Sequence, residues 1–337
     1  MKLNIKKYIL PLKHTFSISR ESRDFQDSMI VSLEQDGKIG YGEATSNPYY
    51  GVTFETMKTE ITQISKEIEQ FQLKNPEAFH DFLTSKNLSH FATCALDLAA
   101  NDLYGKLMEK PLYQLWNTDN STYPITNYTI GLGTIDHMVA KMKEVPWPIY
   151  KIKLGTDQDV EIVRELRKHT DAIFRVDANC AWNAEQTIEY APKLKELGVE
   201  FIEQPLKAED WEGMKKVKQH SVLPTIADES CIVESDVEKC GDHFTGINIK
   251  LTKCGGLTPA RRMIAKAKAM GLKVMVGCMT ESTVGISAIA QLIPQLDYVD
   301  MDGAMLLKED IADGVIIGEH GKVIFPSLGG SGITVRQ

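Results

Sequence analysis

The sequence predicts an α/β barrel of the TIM type preceded by a smaller α+β domain. From Ile125 onward, short apolar runs alternate with helical patterns, and eight such runs are present. Alternation of this kind favours a parallel sheet, and eight strands favour a closed one. Five of the runs also end at or near a charged residue: Lys153, Asp177, Glu203, Asp228 and Lys250 stand 24, 26, 25 and 22 residues apart. One strand, its loop and its covering helix consume about that much chain in a barrel of ~250 residues. Before Pro111 the order is different, with strands first and helices after, as in a separate α+β unit.

Residues 2–10 and 29–45 read as β-structure, because Met29–Leu33 and Lys38–Gly42 flank Asp36-Gly37, a strong hairpin signal. Ser17–Asp27, with Arg20 and Arg23, reads as a polar loop, and Ser46–Gly51 as a second one. Thr53 can cap a helix to about Phe71, on which Met57, Ile61, Ile64 and Ile68 keep helical spacing. A further helix is expected over Phe91–Met108, and Pro111–Tyr123 reads as a connection. The barrel strands are expected near Ile125–Thr129, Tyr150–Leu154, Ile173–Asp177, Phe201–Glu203, Thr225–Asp228, Gly246–Lys250, Lys273–Val276 and Tyr298–Met301. Asn183–Gln186 is a capping-box start for a helix with Ile188, Ala191, Leu194 and Leu197 on one stripe and Gly198 as its stop. The expected boundaries are 1–115 for the first domain, 116–310 for the barrel and 311–337 for a C-terminal segment.

Composition narrows the function. A chain of 337 residues with 43% apolar and 25% charged residues is ordinary for a globular protein with a large core. A net charge of −8 without a long basic run argues against nucleic acid as a partner. Lysines and Arg20 interrupt the first 20 residues, leaving no signal-peptide core, and no stretch approaches the ~20 apolar residues of a membrane span. The six cysteines contain no CxxC pair and read as reduced thiols. A cytoplasmic enzyme is expected, with no nucleic-acid or membrane partner. No GxGxxG or Walker A pattern points to a nucleotide, and the glycines of Leu328–Gly332 open no helix that would hold phosphate.

Asp177, Glu203 and Asp228 end three successive strands, so a parallel barrel brings them together at its C-terminal mouth. Three carboxylates there repel unless a cation sits among them, and hard oxygen ligands suit Mg2+. Each acid alone could be a helix cap; three at one-unit intervals favour the metal. In Lys151-Ile152-Lys153 a period of two puts both ammonium groups on one face, where each disfavours protonation of the other, one route to a lysine base near pKa ~7–8. Lys250 comes from the far side of the mouth, so Lys153 and Lys250 could take a proton from one face of a carbon and return it to the other. Lys253 reads as a solvated surface lysine. Asp300 and Asp302 point the same way at the end of the eighth strand and suit a substrate ammonium, although Asp302-Gly303 alone would be an ordinary turn. Met279, in Cys278–Ser282 after the seventh strand, lines the same mouth. The eight histidines show no metal-like spacing.

With these motifs the chain resembles the enolase superfamily, in its muconate lactonizing enzyme subgroup, and within that the dipeptide epimerases. The resemblance covers nearly the whole chain and implies a modified (β/α)7β TIM barrel with an N-terminal α+β capping domain, an enolase-like fold. It implies Lys153 and Lys250 as the acid/base pair and Asp177, Glu203 and Asp228 as ligands of one Mg2+. Lys151, Asp300, Asp302, Arg23 and Met279 are implied as substrate-binding residues. Asp300 and Asp302 match the pair that binds a dipeptide's α-ammonium, and Arg23, with Arg20 as the alternative, matches the residue that reads a Glu side chain. The implied reaction is abstraction of the proton α to a carboxylate and its return from the other side, with Mg2+ countering the charge of the enediolate; enolase-superfamily lysine bases are a standard example of such tuning. An L-Ala-D/L-Glu epimerase of murein peptide metabolism is the leading expectation, with a homo-oligomer compatible with it. The alternatives are an N-acylamino acid racemase or o-succinylbenzoate synthase of the same subgroup, and a noncatalytic metal-binding barrel.

Overall fold

A computed structural model describes residues 1–18 and 21–336. Strands β1 (Lys2–Ile18), β2 (Glu21–Gln35) and β3 (Lys38–Thr45) form an antiparallel sheet. Gln35 pairs with Lys38 across Asp36-Gly37, whose φ values of 50° and 75° are those of a two-residue primed turn. The polar loop expected at Ser17–Asp27 is not one. After an irregularity between Pro11 and Phe16, β1 and β2 keep pairing through Phe16–Arg23, Ser17–Ser22 and Ile18–Glu21. Backbone ladders hold this ribbon while few of its side chains are fully buried, so its sequence lacks the alternation that marks a half-buried strand.

Thr53 caps its helix as expected, accepting from the Thr56 amide at 3.2 Å. The single helix to Phe71 is instead two, Phe54–Gln63 and Ser65–Gln70, because Ile64 leaves helical geometry at φ −108°. The bend keeps Ile61, Ile64 and Ile68 together in the cap core. A helix not anticipated spans Pro76–Thr84, started by Asn75, whose side chain accepts from the Ala78 amide at 2.8 Å. Helix His90–Leu107 lies directly under β3: a Cβ at Gly40 or Gly42 would meet the carbonyl oxygens of Ala99 or Ala95 at 2.2 and 2.1 Å. Only glycine permits that approach.

The barrel strands are β4 (Tyr128–Ile130), β5 (Ile149–Lys153), β6 (Ile173–Asp177), β7 (Val199–Glu203), β8 (Thr225–Ala227), β9 (Gly246–Lys250), β10 (Lys273–Gly277) and β11 (Tyr298–Asp300). They hydrogen-bond in sequence order and run parallel. Between β11 and β4 the ring closes by a Thr126–Val299 bridge and by the Met301 amide donating to Thr126 Oγ1 at 3.0 Å. The first barrel strand is therefore shorter than the expected Ile125–Thr129 and begins later, because a single bridge stands in for a ladder there. Below the mouth the interior is packed by Phe201, Ile226, Met275 and Tyr298, with the Arg175 guanidinium 5.3 and 4.8 Å from the rings of Phe201 and Tyr298. The barrel is a core, not a pore.

The helix Ala184–Glu196 begins with the expected capping box: Gln186 N donates to Asn183 Oδ1 at 2.8 Å and Asn183 N to Gln186 Oε1 at 3.1 Å. At the C-terminus Ala312–Asp313 pairs with Thr334–Val335, and Ala312 and Ile333 pack on Ile30 of the cap. The glycine cluster has a structural use here. Gly330 has φ +72°, and a Cβ on it would lie 2.3 Å from the Asp102 carboxylate.

Candidate active site

Parallel register sets the site. Lys153 pairs with Asp177 and Asp177 with Glu203, while on the other side of the ring Gly277 pairs with both Lys250 and Asp300. These residues end their strands at one level, and Asp228 follows β8 directly. Asp177, Glu203 and Asp228 are buried, with carboxylate oxygens within 4.8 Å of one another. Lys153 Nζ donates to Asp177 Oδ2 at 2.7 Å. Lys151 Nζ lies 3.2 Å from Asp177 Oδ2, 2.8 Å from Glu203 Oε2 and 2.9 Å from Asp300 Oδ2. Across the mouth, Lys250 Nζ is 2.9 Å from Asp228 Oδ2. Strands β5 and β9 are four places apart in an eight-strand ring, so Lys153 and Lys250 stand on opposite sides.

The electrostatics correct one expectation. The crowding of Lys151 and Lys153 was expected to lower a lysine pKa, yet Lys151 is held well above the ordinary lysine value: burial opposes its charge, but Asp300, Glu203 and Asp177 more than offset it. Burial likewise opposes the charge on Lys250, and Asp228 overcomes it, holding that lysine above the ordinary range as well. Each ammonium is interleaved with carboxylates, so attraction outweighs the repulsion between lysines. Among the acids, burial and neighbouring Asp177 push Glu203 up to about 7, whereas Lys250 and Lys253 hold Asp228 below the ordinary range against the effect of burial. Glu203 Oε2 has no well-directed hydrogen-bond donor despite its closeness to Lys151. A compact set of hard oxygens, one of them without a directed donor, fits a small divalent cation.

Lys253 is not a surface residue. It is 1% exposed and donates to Asp228 Oδ1 at 2.6 Å and to the carbonyls of Cys231 at 2.9 Å and Asn248 at 3.3 Å. The short turn Leu251–Cys254 folds it back beneath β9, where it fastens the loop carrying Asp228.

Asp300 and Asp302 are buried side by side. Asp300 accepts from Lys151 at 2.9 Å and Asn127 Nδ2 at 2.7 Å, and Asp302 from the Thr129 amide at 2.6 Å. Burial opposes the charge of Asp300, but Lys151 brings its pKa down to about 2; burial and Asp300 push Asp302 up to about 7. Both face a cleft at the cap–barrel junction, which Lys151, Lys153, Lys250 and Met279 also line. The cap contributes Arg23 from the end of the β1–β2 ribbon and Tyr50 from the loop after β3. Burial pushes the Tyr50 hydroxyl up to about 12, so it stays protonated. Arg23 binds Gln26 and Glu21. Arg20, its alternative, lies outside the described residues.

Several supporting residues were not anticipated. Asn248 Nδ2 donates to Glu203 Oε1 at 2.8 Å, and Gln204 Oε1 accepts the amides of Asp228 at 2.9 Å and Ser230 at 3.1 Å. The period-two rule would have found Asn248, two residues before Lys250 on the same strand face. Gln204 adopts φ 34°, as Asn179 and Cys180 after β6 adopt 44° and 67°: the backbone turns sharply just past the acids, in a left-handed region rarely populated by non-glycine residues.

Comparison with known proteins agrees with this architecture. Residues 4–116 match the model of the mandelate racemase / muconate lactonizing enzyme N-terminal domain, and residues 135–337 match the enolase C-terminal domain-like model. An L-Ala-D/L-amino acid epimerase of a Maribacter species is 73% identical over 337 residues, covering 100% of both chains. A substrate-liganded L-Ala-D/L-Glu epimerase from Bacillus subtilis superposes with a TM-score of 0.94 at 27% identity, covering 99% of each chain. A dipeptide epimerase from Enterococcus faecalis, complexed with Mg and L-Leu-L-Tyr, gives 0.91 at 29% identity and 99% coverage of each. Both halves of the chain thus lead to one conclusion: it belongs to the mandelate racemase / muconate lactonizing enzyme family of the enolase superfamily.

Proposed function

We propose that this chain is a Mg2+-dependent dipeptide epimerase, inverting the α-carbon of the C-terminal residue of L-Ala dipeptides, Ala-Glu among them. The observation that carries the reading is the pair Lys153 and Lys250 on opposite sides of one cleft that also holds the buried Asp300–Asp302 pair. Names of relatives support it, the Maribacter protein being called an L-Ala-D/L-amino acid epimerase. Asp177, Glu203 and Asp228 would hold the metal. A bound Mg2+ would counter the charge that develops on the substrate carboxylate and offset the Asp228 carboxylate that holds Lys250 protonated. One lysine, neutral, takes the α-proton while the other, an ammonium, delivers a proton to the opposite face; the reverse direction exchanges their roles. Lys151 anchors the acids. Asp300 and Asp302 receive the dipeptide ammonium, a charge that an N-acyl amino acid lacks, which favours dipeptides over N-acyl substrates. Arg23 and Met279 line the side-chain end of the cleft.

The same reading takes residues 1–115 as the capping domain, 116–310 as the catalytic barrel and 311–337 as the segment that returns to the cap. It assigns the enzyme to cytoplasmic turnover of murein-derived peptides. Among the described residues, no helix is long and apolar enough to cross a membrane. Incubation with L-Ala-L-Glu and Mg2+ in D2O should place deuterium at the Glu α-carbon and generate L-Ala-D-Glu, read by mass spectrometry and chiral separation. Absence of exchange on this and a panel of other dipeptides sinks the proposal.

A further inference from the structure

We propose that Glu21 sets the range of side chains this site accepts, by neutralising Arg23 from within the cleft. The inference deepens the dipeptide reading and rests on it. Glu21 and Arg23 both line the cleft, with side chains 30% and 19% exposed, and the Glu21 carboxylate engages Arg23 Nη2. The other terminal nitrogen, Nη1, is taken by Gln26 Oε1. Gln26 is itself buried and fixed, donating to the carbonyls of Asp27 at 2.9 Å and Ser46 at 2.8 Å, so its oxygen is held toward Arg23. Each terminal nitrogen of the guanidinium therefore already serves an acceptor of the protein.

An open arginine fork selects a carboxylate through two parallel charge-assisted bonds. Here an incoming acidic side chain meets a guanidinium whose charge is already balanced, and it competes with the Glu21 carboxylate for it. A neutral side chain meets a wall whose Glu21–Arg23 pair carries no net charge, beside Phe16, Ile18, Tyr49 and Leu306. Selectivity is a difference between affinities, and the internal pair compresses that difference from the acidic side. Burial also lowers the Arg23 pKa from its ordinary value, so an unbalanced charge is disfavoured there. The substrate class this implies is L-Ala dipeptides ending in neutral as well as acidic residues, with Glu21 as the specificity-determining residue.

The test compares kcat/KM for L-Ala-L-Glu, L-Ala-L-Gln and L-Ala-L-Leu in the Mg2+-loaded enzyme, in Glu21→Gln and in Arg23→Met. The unmodified enzyme should turn over all three, with acidic and neutral substrates within roughly tenfold of each other. Glu21→Gln, nearly isosteric, should raise the Glu-to-Leu ratio about tenfold, mainly through a lower KM for Ala-Glu, by leaving the guanidinium charge unbalanced. Arg23→Met should lower the same ratio below that of the unmodified enzyme, and it tests the pair independently should Glu21→Gln fail to fold. An unmodified enzyme that turns over Ala-Glu but neither neutral dipeptide overturns the inference. So does a ratio that stays fixed or falls in Glu21→Gln. Absence of turnover with every dipeptide in the unmodified enzyme is a separate result, which overturns the function reading and this inference with it.

Discussion

Two groups of buried acids divide this molecule. At the barrel mouth, the side-chain partners of Asp177, Asp228 and Asp300 are mainly lysine ammonium groups on long flexible stems. At the seam between cap and barrel, Glu43, Asp97 and Asp102 each accept from at least one backbone amide, with the Lys106 ammonium as a further partner of Asp102 at 2.7 Å. Glu43 accepts from the Ser282 and Gly285 amides at 3.0 and 2.9 Å and from the Ser28 and Ser282 hydroxyls at 2.6 and 2.5 Å. Asp97 accepts from the Thr258 amide at 3.0 Å, and Asp102 from those of Tyr41 and Ser331 at 2.9 and 2.8 Å. Burial is alike in the two groups; the partners differ. A backbone amide cannot leave, so the seam acids are committed and fasten the cap to the starts of helices Thr283–Ala290 and Leu257–Ala269 and to the C-terminal segment. An ammonium on a four-carbon stem can move or lose its proton, so the mouth acids can change partner.

The sharpest break between the groups should come from Lys153→Ala and Lys250→Ala. Each should cut epimerisation by ~10³-fold or more, with proton exchange surviving on one epimer only, and the melting temperature should move little. Equal, small losses from both would remove the distinction. Next in size is Glu43→Ala, which strands four donors at the seam and should cost ~2–4 kcal/mol in denaturant unfolding while Mg2+ affinity stays unchanged. A loss of metal binding there would mean that seam and mouth are one system. Asn248→Ala removes a bond to a mouth acid, and Mg2+ affinity by calorimetry should fall by roughly 10–100-fold; an unchanged affinity would deny Asn248 a positioning role. The smallest effect concerns Glu281, a second carboxyl at the seam, which burial and Glu43 push up to about 8. The folded chain binds that proton more tightly than the unfolded one, so this contribution is complete below the ordinary carboxylate pKa and is lost as pH rises toward 8. Between pH 5 and 8.5, Glu281→Gln should flatten the decline in melting temperature. A decline as steep as in the unmodified chain would assign the titration elsewhere.

The mouth was legible in the sequence because chain spacing and strand parity both act there. A residue at a strand's C-terminal end has one place to go in a parallel barrel, so Lys153, Asp177, Glu203 and Lys250 could be assigned to one level before any coordinates. Lys253 was misread because nothing local says that Leu251–Cys254 turns back beneath its strand; its burial depends on carbonyls of Asp228, Cys231 and Asn248, up to 25 residues away. The seam acids were invisible for the same reason, since Glu43 acts through contacts 239 and 242 residues distant. The pairing of Phe16–Ile18 with Glu21–Arg23 was misread because a ribbon with few fully buried side chains leaves no apolar alternation to detect. The charge state of Lys151 could not follow from crowding alone, because Asp300, Glu203, Asp177 and Asp228 all act on it.

The closure of the ring carries one more consequence. The last strand meets the first through Asn127 on Asp300 and through the Thr129 amide on Asp302, so the carboxylates assigned to the dipeptide ammonium also stitch the barrel's seam. Occupancy of the site and integrity of the barrel are then thermodynamically linked. An ammonium seated between the two acids would hold Asp302 ionised and strengthen its grip on Thr129, tightening the ring where a single backbone bridge otherwise closes it. The enzyme would complete its own scaffold each time it takes up substrate, and breathe at that joint when it lets product go.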